Sequence, residues 1–182
     1  FILLMGDNIY SNDDIINCLK WHNAMLTAKV KDPKNYGVVK EKNGLLEDII
    51  EKPKNFISDL INAALYVFDK EIFTFISELK PSSRNEIEIT DAIKQFSKKR
   101  NVKLIQSTLW LPIGYLSEFL DADKILRNNK NIIGKKTKIE GEVVNSNIGD
   151  GCSIKGNVKD SIIMDNTTIS DGSDVSNSII GE

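Results

Sequence analysis

The last third of the chain repeats itself at intervals of 15 residues, and this repeat constrains the fold more than any other feature. The dipeptide Ile133-Gly134 recurs as Ile148-Gly149, and Ile163 follows at the same interval. Two further series keep the same step: Ile139, Ile154 and Ile169, and the pair Val143 and Val158. Apolar residues at every fourth to sixth position, separated by Gly, Asn, Asp and Ser, predict coils of short strands that bury their apolar rows only by stacking. The sequence therefore predicts a parallel β-helix of the hexapeptide type over residues 129–182.

Both ends of the chain suggest that it belongs to a longer fold. Phe1 already lies in the apolar run "FILLM", and the final "NSIIGE" echoes the earlier "NSNIGD", as if another coil began there. A stack of this kind needs about three repeats and a capped end. We therefore expect that both termini are cut and that the chain is truncated at its N-terminal side.

Before residue 129, strand-like and helix-like segments alternate, which predicts an α/β domain over residues 1–128. The predicted strands are "FILLM", read as a buried strand, a hairpin "GVVKEKNGLLEDIIE" around Asn43-Gly44, "INAALYVFD" and "VKLIQS". The first predicted helix is capped by Ser11 or Asn12, has Asp14 as a capping-box partner and continues to about Leu26. The later predicted helices are "KEIFTFISEL", "DAIKQFSKKR" with Thr90 as its cap, and "LSEFLDADKILR".

Composition excludes two classes of partner. The formal net charge is −2, and no basic patch with interleaved aromatic residues is present, so a nucleic-acid partner is not expected. No apolar segment approaches the roughly 20 residues that cross a bilayer, so no membrane partner is expected either. Cys18 and Cys152 lie far apart and match no metal-ligand spacing, which favours free thiols in a reducing, cytoplasmic compartment.

The tripeptide Gly6-Asp7-Asn8 places a carboxylate directly after the first predicted strand. Sites in open α/β sheets gather beyond the carboxyl ends of strands. A carboxylate at such a place can hold Mg²⁺ together with substrate phosphates. All three residues also suit a simple turn, and the residues alone leave both readings open.

Several short segments occur in a characteristic order: "GDN", "YGVV", "EKP", "INAALYVF", "NEIEITD" and "WLPIG". With these segments and the repeat, nearly the whole chain resembles the sugar-1-phosphate nucleotidyltransferases, in particular their two-domain members. The resemblance implies an α/β fold, with the C-terminal part of a Rossmann-like nucleotidyltransferase domain followed by the start of a left-handed parallel β-helix. It also implies that a sugar-1-phosphate and a nucleoside triphosphate react to form a nucleotide-sugar and pyrophosphate, with Mg²⁺ as cofactor.

The resemblance also implies roles for individual residues. Asp7 is the Mg²⁺ ligand, and Lys52 is the cation that faces the sugar phosphate. The implied sugar-binding residues are Gly37, where a backbone amide can approach the sugar, and Glu51, Asn62, Tyr66 and Glu86. Glu86 is equally suited to be an acidic residue at the start of a helix.

Three departures from the family pattern stand out. The Gly-rich loop that cradles the triphosphate is missing from these residues, so this chain by itself is expected to be inactive. Pro112 in "WLPIG" occupies the position of the usual second metal-ligating Asp, which puts coordination by two carboxylates in doubt. Ala64 occupies the position of the usual glycine after Asn-Ala, which is expected to tighten the pocket.

Two alternatives stay open. A longer β-helix could transfer an acetyl group from acetyl-CoA to a sugar, but such sites usually need a histidine base. Residues 129–182 contain no histidine, and the only histidine, His22, is expected to be structural. The chain could instead belong to a non-catalytic regulatory or oligomerisation subunit, which Pro112 favours. In every reading the β-helix predicts a homo-oligomer, most simply a trimer.

Overall fold

The computed structural model describes residues 1–82 and 84–181, and the chain divides into two compact units, Phe1–Trp110 and Leu111–Glu182. The strands of the first unit are β1 (Ile2–Leu4), β2 (Asn8–Tyr10), β3 (Ala24–Lys29), β4 (Gly37–Lys42), β5 (Leu45–Glu51), β6 (Leu60–Val67) and β7 (Lys103–Gln106). Its helices are α1 (Asn12–Leu19), α2 (Ile72–Ser77) and α3 (Ile89–Ser97). Six strands form one mixed sheet in the order β1-β6-β3-β7-β5-β4, in which only β3 and β7 run parallel.

Helices cover both faces of this sheet, because successive strand residues point to opposite sides. Met25 packs in the core with α2 and α3, whereas its neighbours Ala24 and Leu26 pack on the other face with Cys18 of α1. Val38 and Val39 of β4 divide between the two faces in the same way. The predicted α/β layer architecture is therefore confirmed.

The hairpin predicted around Asn43-Gly44 is confirmed by the pairing of β4 with β5. Asn43 has a φ of 54° and Gly44 a φ of 75°, the two positive values that a type I′ turn requires. The predicted strands β6 and β7 and the helix α2 also form at the expected places.

Two predictions about the first helix are wrong. Helix α1 ends at Leu19 rather than near Leu26, because Met25 and Leu26 belong to the buried strand β3. Ser11 does cap α1 by accepting from the Asp14 N–H, but the Asp14 carboxylate is not a capping-box partner. It instead accepts hydrogen bonds from Thr108 and Leu109 in the segment after β7.

Strand β1 was predicted to be buried, but in this chain it is an edge strand. It pairs only with β6, in antiparallel register, and Leu4 is 39% exposed. An apolar run cannot by itself distinguish a central strand from an edge strand, because that depends on which strands pair beside it.

The second unit contains helix α4 (Leu116–Leu126) and a series of short strands. A further strand, β8 (Trp110–Pro112), includes the last residue of the first unit. The repeat strands are β9 (Ile132–Ile133), β10 (Lys138–Ile139), β11 (Val143–Val144), β12 (Asn147–Ile148), β13 (Ser153–Ile154), β14 (Asn157–Lys159), β15 (Ile162–Ile163), β16 (Thr168–Ile169), β17 (Asp174–Ser176) and β18 (Ile179–Ile180).

These strands stack into three parallel ladders, as expected of a left-handed β-helix of hexapeptide repeats. The ladders are β9-β12-β15-β18, β10-β13-β16 and β11-β14-β17. Ile133 is in register with Ile148, and Ile148 with Ile163, so the 15-residue sequence interval corresponds to one coil. The last coil is longer, since Val158 is in register with Val175.

Side chains and glycines hold the coils in register. The Ser146 hydroxyl accepts from the Ser161 N–H, and the Ser161 hydroxyl accepts from the Ser178 N–H, both at 3.1 Å. A Cβ on Gly141 would lie 2.0 Å from the carbonyl oxygen of Gly156, so only glycine allows these coils to approach each other.

Cys18 and Cys152 are free and buried. No helix in the described part of the chain is long and apolar enough to cross a membrane.

Candidate active site

Gly37 and Glu51 are direct partners across the β4–β5 hairpin, and they mark the centre of the candidate site. A Cβ built on Gly37 would lie 2.9 Å from Oε2 of Glu51, 3.3 Å from Cγ2 of Thr90 and 3.5 Å from Cβ of Asn62. Four residues from three strands and one helix thus meet at one point. Of the seven residues predicted from the sequence, the structure places Gly37, Glu51 and Asn62 in this cluster.

The Glu51 carboxyl group is half-buried, and its pKa is raised above the ordinary value. Burial is the main cause and the negative charge of Glu88 is the second, while Thr90, Arg84 and Lys52 oppose the shift. Because the carboxyl group already lacks part of its hydration, a ligand hydroxyl that donates to it would restore lost hydrogen bonding.

Thr90 is 4% exposed, and its hydroxyl oxygen makes no hydrogen bond with any other described residue. The hydroxyl lies close enough to Glu51 to lower the pKa of that carboxyl group. The prediction that Thr90 caps α3 is wrong, because Glu88 is the N-cap and Thr90 lies in the first turn. A buried hydroxyl without a partner is costly, so this oxygen indicates a place where a ligand or water completes the site.

Asn62 and Tyr66 form a fixed pair on β6. The Asn62 amide nitrogen donates to the Tyr66 hydroxyl at 2.6 Å, and the Asn62 amide oxygen accepts from the Ala64 N–H at 3.0 Å. Tyr66 is only 1% exposed and packs in the core beside Phe68, and burial raises the pKa of its phenol. In this chain Tyr66 therefore orients Asn62 rather than forming an open wall of the pocket.

Ala64 lies at an irregularity in the pairing of β6 with β3 and has a φ of 58°. This left-handed conformation favours glycine, which gives a physical reason for the glycine usual at this position. The Tyr10 hydroxyl donates to the carbonyl oxygens of Ala63 and Ala64 at 2.9 and 3.0 Å. Burial raises the pKa of Tyr10 to about 12, and the charge of Asp7 adds to that shift.

Lys52 and Arg84 are the cations whose charges act on Glu51. Lys52 is exposed, has a φ of 42°, and donates its backbone N–H to the carbonyl oxygen of Tyr36 at 3.0 Å. A positive φ in a lysine that precedes proline is a strained conformation of the kind found at functional sites.

Arg84 pairs with both Glu86 and Glu88, and the two acids differ in their environment. The Glu86 side chain is 62% exposed, whereas the Glu88 side chain is 10% exposed. Glu88 is the residue whose charge acts on Glu51. The ligand role implied for Glu86 stays a prediction, and Glu88 is the more buried of the two acids.

Asp7 lies in the turn between β1 and β2, and its carboxylate is exposed. Oδ1 of Asp7 accepts a hydrogen bond from the Asn8 amide nitrogen at 2.7 Å. The turn adjoins the Asn62–Ala64 segment, because the Met5 N–H donates to the carbonyl oxygen of Ala64 at 3.3 Å. Asp7 has no ion-pair partner among the described residues, so its second oxygen is available to a cation.

No group of three or more His, Cys, Asp or Glu side chains that could hold a metal occurs within residues 1–82 and 84–181. Mg²⁺ commonly binds through one or two carboxylates plus substrate phosphates. The donor set around Asp7 therefore fits a cation that arrives with, or is completed by, phosphate oxygens. Pro112, at the position of the usual second carboxylate, belongs to the second unit and supplies no side-chain ligand.

Three residues of the site were not predicted from the sequence: Thr90, Glu88 and Arg84. All three lie in or next to the segment "NEIEITD", which was singled out for Glu86 alone. The available signal was the alternation within this segment, because residues two apart in an extended chain point to the same side, which groups Glu88 with Glu86.

Comparison with protein families gives two adjacent matches. The model described as nucleotidyl transferase matches residues 1–129, and the model described as GlmU-like, C-terminal hexapeptide matches residues 129–182. The compact units divide after Trp110. The predicted division between residues 128 and 129 stays a prediction.

Curated relatives include two archaeal proteins with the name bifunctional protein GlmU. That of Methanococcus aeolicus is 39% identical over 165 residues, which is 85% of this chain and 39% of the relative. That of Methanocaldococcus jannaschii is 41% identical over 152 residues, which is 79% of this chain and 37% of the relative. The chain thus spans less than half of the length of these relatives.

Solved structures share the fold over 71% of this chain. A candidate glucose-1-phosphate thymidylyltransferase of Bacillus anthracis, solved with a sucrose, is 29% identical, with a TM-score of 0.58 over 55% of that chain. A UDP-glucose pyrophosphorylase complexed with UDP-glucose is 22% identical, with a TM-score of 0.60 over 56% of that chain, which shows the fold alone.

Proposed function

Because the chain belongs to the nucleotidyl transferase family, we propose that it carries the sugar-phosphate half of an active site that makes a nucleotide-sugar. In the proposed reaction, a sugar-1-phosphate oxygen attacks the α-phosphorus of a nucleoside triphosphate. One phosphorus–oxygen bond forms, the bond to the leaving pyrophosphate breaks, and no redox step is involved. The observation that carries this proposal is the cluster of Glu51, Asn62 and Thr90 around Gly37, together with the buried Thr90 hydroxyl, which makes no hydrogen bond within the described part of the chain.

The cluster suits the hydroxyl groups of a sugar. Glu51 supplies an acceptor, Asn62 has one free amide hydrogen, and the Thr90 hydroxyl can both donate and accept. The absence of a Cβ on Gly37 lets Glu51, Thr90 and Asn62 close in around it, so the polar groups proposed to bind the sugar lie together. A site built to bond hydroxyls rejects ligands that lack them, because its own polar groups would then stay unpaired.

The sugar phosphate is proposed to bind near Lys52, with Arg84 as a second cation. Two negatively charged reactants must approach each other in this reaction, so positive charge and in-line positioning supply most of the catalysis. Arg84 is held by ion pairs with Glu86 and Glu88, which fix the position of its guanidinium.

Asp7 is the proposed ligand of a divalent cation, and Mg²⁺ is the proposed metal. A bound Mg²⁺ would neutralise phosphate charge and orient the triphosphate. The contribution of this chain is to hold the Asp7 carboxylate at the turn between β1 and β2, beside the strand that carries Asn62.

The parallel coils are proposed to assemble the protein as a homo-oligomer, most simply a trimer. Ile132, Ile133 and Val144 of the coils are 40% exposed or more, which leaves apolar surface for another subunit. The coils in residues 129–182 contain no histidine, so we do not assign acetyl transfer to them. The proposed location is the cytoplasm, where the two free cysteines stay reduced.

The test uses the complete gene product, a panel of nucleoside triphosphates and hexose-1-phosphates, Mg²⁺, and an assay for released pyrophosphate. We expect release with at least one pair of substrates, and we expect loss of most of it in Glu51→Gln and in Asp7→Asn. Glu47→Gln, an exposed change on the same strand as Glu51, is the matched control. Absence of pyrophosphate with every pair would overturn the proposed reaction.

A further inference from the structure

Two consecutive hydrogen bonds connect a tryptophan to the Asp7 carboxylate. The Trp110 indole nitrogen donates to Oδ1 of Asn8 at 2.7 Å, and the Asn8 amide nitrogen donates to Oδ1 of Asp7 at 2.7 Å. An indole N–H can only donate, so the Asn8 side chain must turn its oxygen towards Trp110. Its amide nitrogen is thereby directed to Asp7. An ionised carboxylate has no proton to donate, so it accepts this hydrogen bond.

Trp110 is itself held firmly. Its ring meets the Tyr36 ring edge-on, with the centroids 5.7 Å apart. The segment before it is fixed by Asp14, a fully buried carboxylate that accepts from the backbone N–H groups of Thr108 and Leu109 and from the hydroxyls of Ser107 and Thr108.

The Asp14 carboxylate can hold this segment over a wide pH range. Burial works against its charged form, but these hydrogen bonds outweigh burial, and the pKa of Asp14 is lowered. The indole N–H is therefore a donor in a fixed position.

We propose that Trp110 is a positioning residue for the metal-holding carboxylate of Asp7 and that it acts through Asn8. This inference rests on the proposed function, in which Asp7 holds a divalent cation. Asn8 occupies one oxygen of Asp7 and restricts the rotation of its exposed side chain. The other oxygen has no hydrogen bond or ion pair with the described residues, and less conformational freedom is lost when the cation binds to a carboxylate already held by Asn8. Partners that orient a metal ligand in this way commonly change metal affinity by about 10–100-fold.

The two hydrogen bonds from Trp110 through Asn8 to Asp7 form a relay. This relay predicts that the metal and the sugar phosphate depend differently on Trp110. Metal affinity should depend on the indole N–H, whereas sugar-phosphate affinity should not, because Glu51, Asn62 and Thr90 are oriented by other contacts. A merely structural role for Trp110 would weaken both ligands together and would lower the melting temperature.

The test measures Mn²⁺ binding to the complete gene product by water-proton relaxation, with inorganic pyrophosphate present to supply phosphate oxygens. The variants are Trp110→Phe, which keeps an aromatic ring against Tyr36, and Asn8→Ala, which breaks the same relay without changing the indole. We expect each to weaken Mn²⁺ binding about tenfold, and the double variant to be no weaker than Asn8→Ala. Trp21→Phe is the matched control, since Trp21 is 47% exposed and its ring lies against Lys103.

Calorimetry with a hexose-1-phosphate, on the same variants, supplies the second measurement, and its affinity should change less than twofold. Unchanged Mn²⁺ binding in Trp110→Phe and Asn8→Ala would overturn the relay, as would an equal loss of Mn²⁺ and sugar-phosphate affinity. Asp7→Asn separates this inference from the proposed function. If Asp7→Asn also leaves Mn²⁺ binding unchanged, the metal assignment itself fails, whereas a loss in Asp7→Asn alone overturns only the relay.

Discussion

Gly37 faces Glu51 across the β4–β5 hairpin so closely that a Cβ on Gly37 would lie 2.9 Å from Oε2 of Glu51. The atom that it would meet is the far end of a flexible side chain, so Glu51 can move away while the backbone stays in place. The close approach therefore matters to the position of the carboxylate more than to the fold.

Gly37→Ala should consequently weaken sugar-phosphate binding without unfolding the protein. We expect the dissociation constant of the hexose-1-phosphate to rise about tenfold, which corresponds to about 1.4 kcal/mol. We expect the free energy of unfolding to change by less than about 1 kcal/mol, since the flexible end of the Glu51 side chain absorbs the overlap. Calorimetry and urea unfolding measure the two quantities.

Gly114→Ala is the control for Gly37→Ala, because its added methyl group would meet only Oε2 of Glu118, at 3.4 Å. It should alter neither quantity. A Gly37→Ala variant that binds the sugar phosphate normally would contradict the assignment of this cluster as the sugar site.

The raised pKa of Glu51 gives a second prediction, in which stability and binding respond to pH in opposite directions. A carboxyl group whose pKa is raised by folding favours the folded state below its ordinary pKa of 4.5, and that contribution is lost as pH rises through the raised value. Glu51→Gln removes this loss. The variant should therefore melt at a higher temperature than the parent on the alkaline side of the raised pKa.

Sugar-phosphate binding should show the reverse. The parent should bind more weakly as pH falls through the raised pKa of Glu51, because protonation removes an acceptor for sugar hydroxyls. Glu51→Gln should bind weakly at every pH, with a flat profile. Melting temperature and binding are to be measured from pH 4 to 8, and a parent profile as flat as that of the variant would exclude Glu51 as the titrating group.

The β-helix could be predicted in detail, whereas the candidate site could be predicted only in part. Each coil is a local unit, so the spacing of Ile133, Ile148 and Ile163 directly specifies which residues stack. The site instead joins side chains from β4, β5, β6 and the start of α3, and their proximity depends on how the strands pair. Periodicity within one segment carries no information about that pairing.

The local errors have the same origin. Strand β3 was missed because Met25 and Leu26 follow a helix and continue its apolar spacing. Thr90 was read as a cap because threonine suits that position, yet Glu88 has the extended backbone there and Thr90 faces Glu51 and Gly37. Tertiary contacts decided both cases.

Ala64 gives a third prediction, a substitution that should stabilise the protein. Its φ of 58° costs an L-residue about 1–2 kcal/mol, and glycine avoids that cost while losing some chain entropy on folding. We expect Ala64→Gly to raise the free energy of unfolding by about 1 kcal/mol in urea.

Ala63→Gly is the matched control for Ala64→Gly, because Ala63 is buried in the same strand. Its φ is not positive, so glycine there should only destabilise. If Ala64→Gly lowered the free energy of unfolding as much as Ala63→Gly does, the positive φ of Ala64 would carry no energetic cost.

Arg127 gives a fourth prediction, for the second unit. Its side chain is 3% exposed, and it donates to the Asp123 carboxylate, to the carbonyl oxygens of Lys130 and Asn145, and to the Asn145 side chain. One guanidinium therefore joins the end of α4 to the first turns of the β-helix. Arg127→Met removes all of these donors. Among the described residues it leaves the Asp123 carboxylate, 11% exposed, with the Asn147 amide as its one side-chain donor.

Loss of one partner from a buried ion pair typically costs about 3–5 kcal/mol, so Arg127→Met should lower the free energy of unfolding by about that amount. Lys124→Met is the matched control on the same helix. Lys124 pairs with Asp160 at 3.4 Å while 45% exposed, and such a pair contributes about 0–1 kcal/mol. Circular dichroism in urea can compare the two variants. Equal effects would mean that α4 is held to the coils by apolar packing, because the buried guanidinium would then contribute no more than a surface charge.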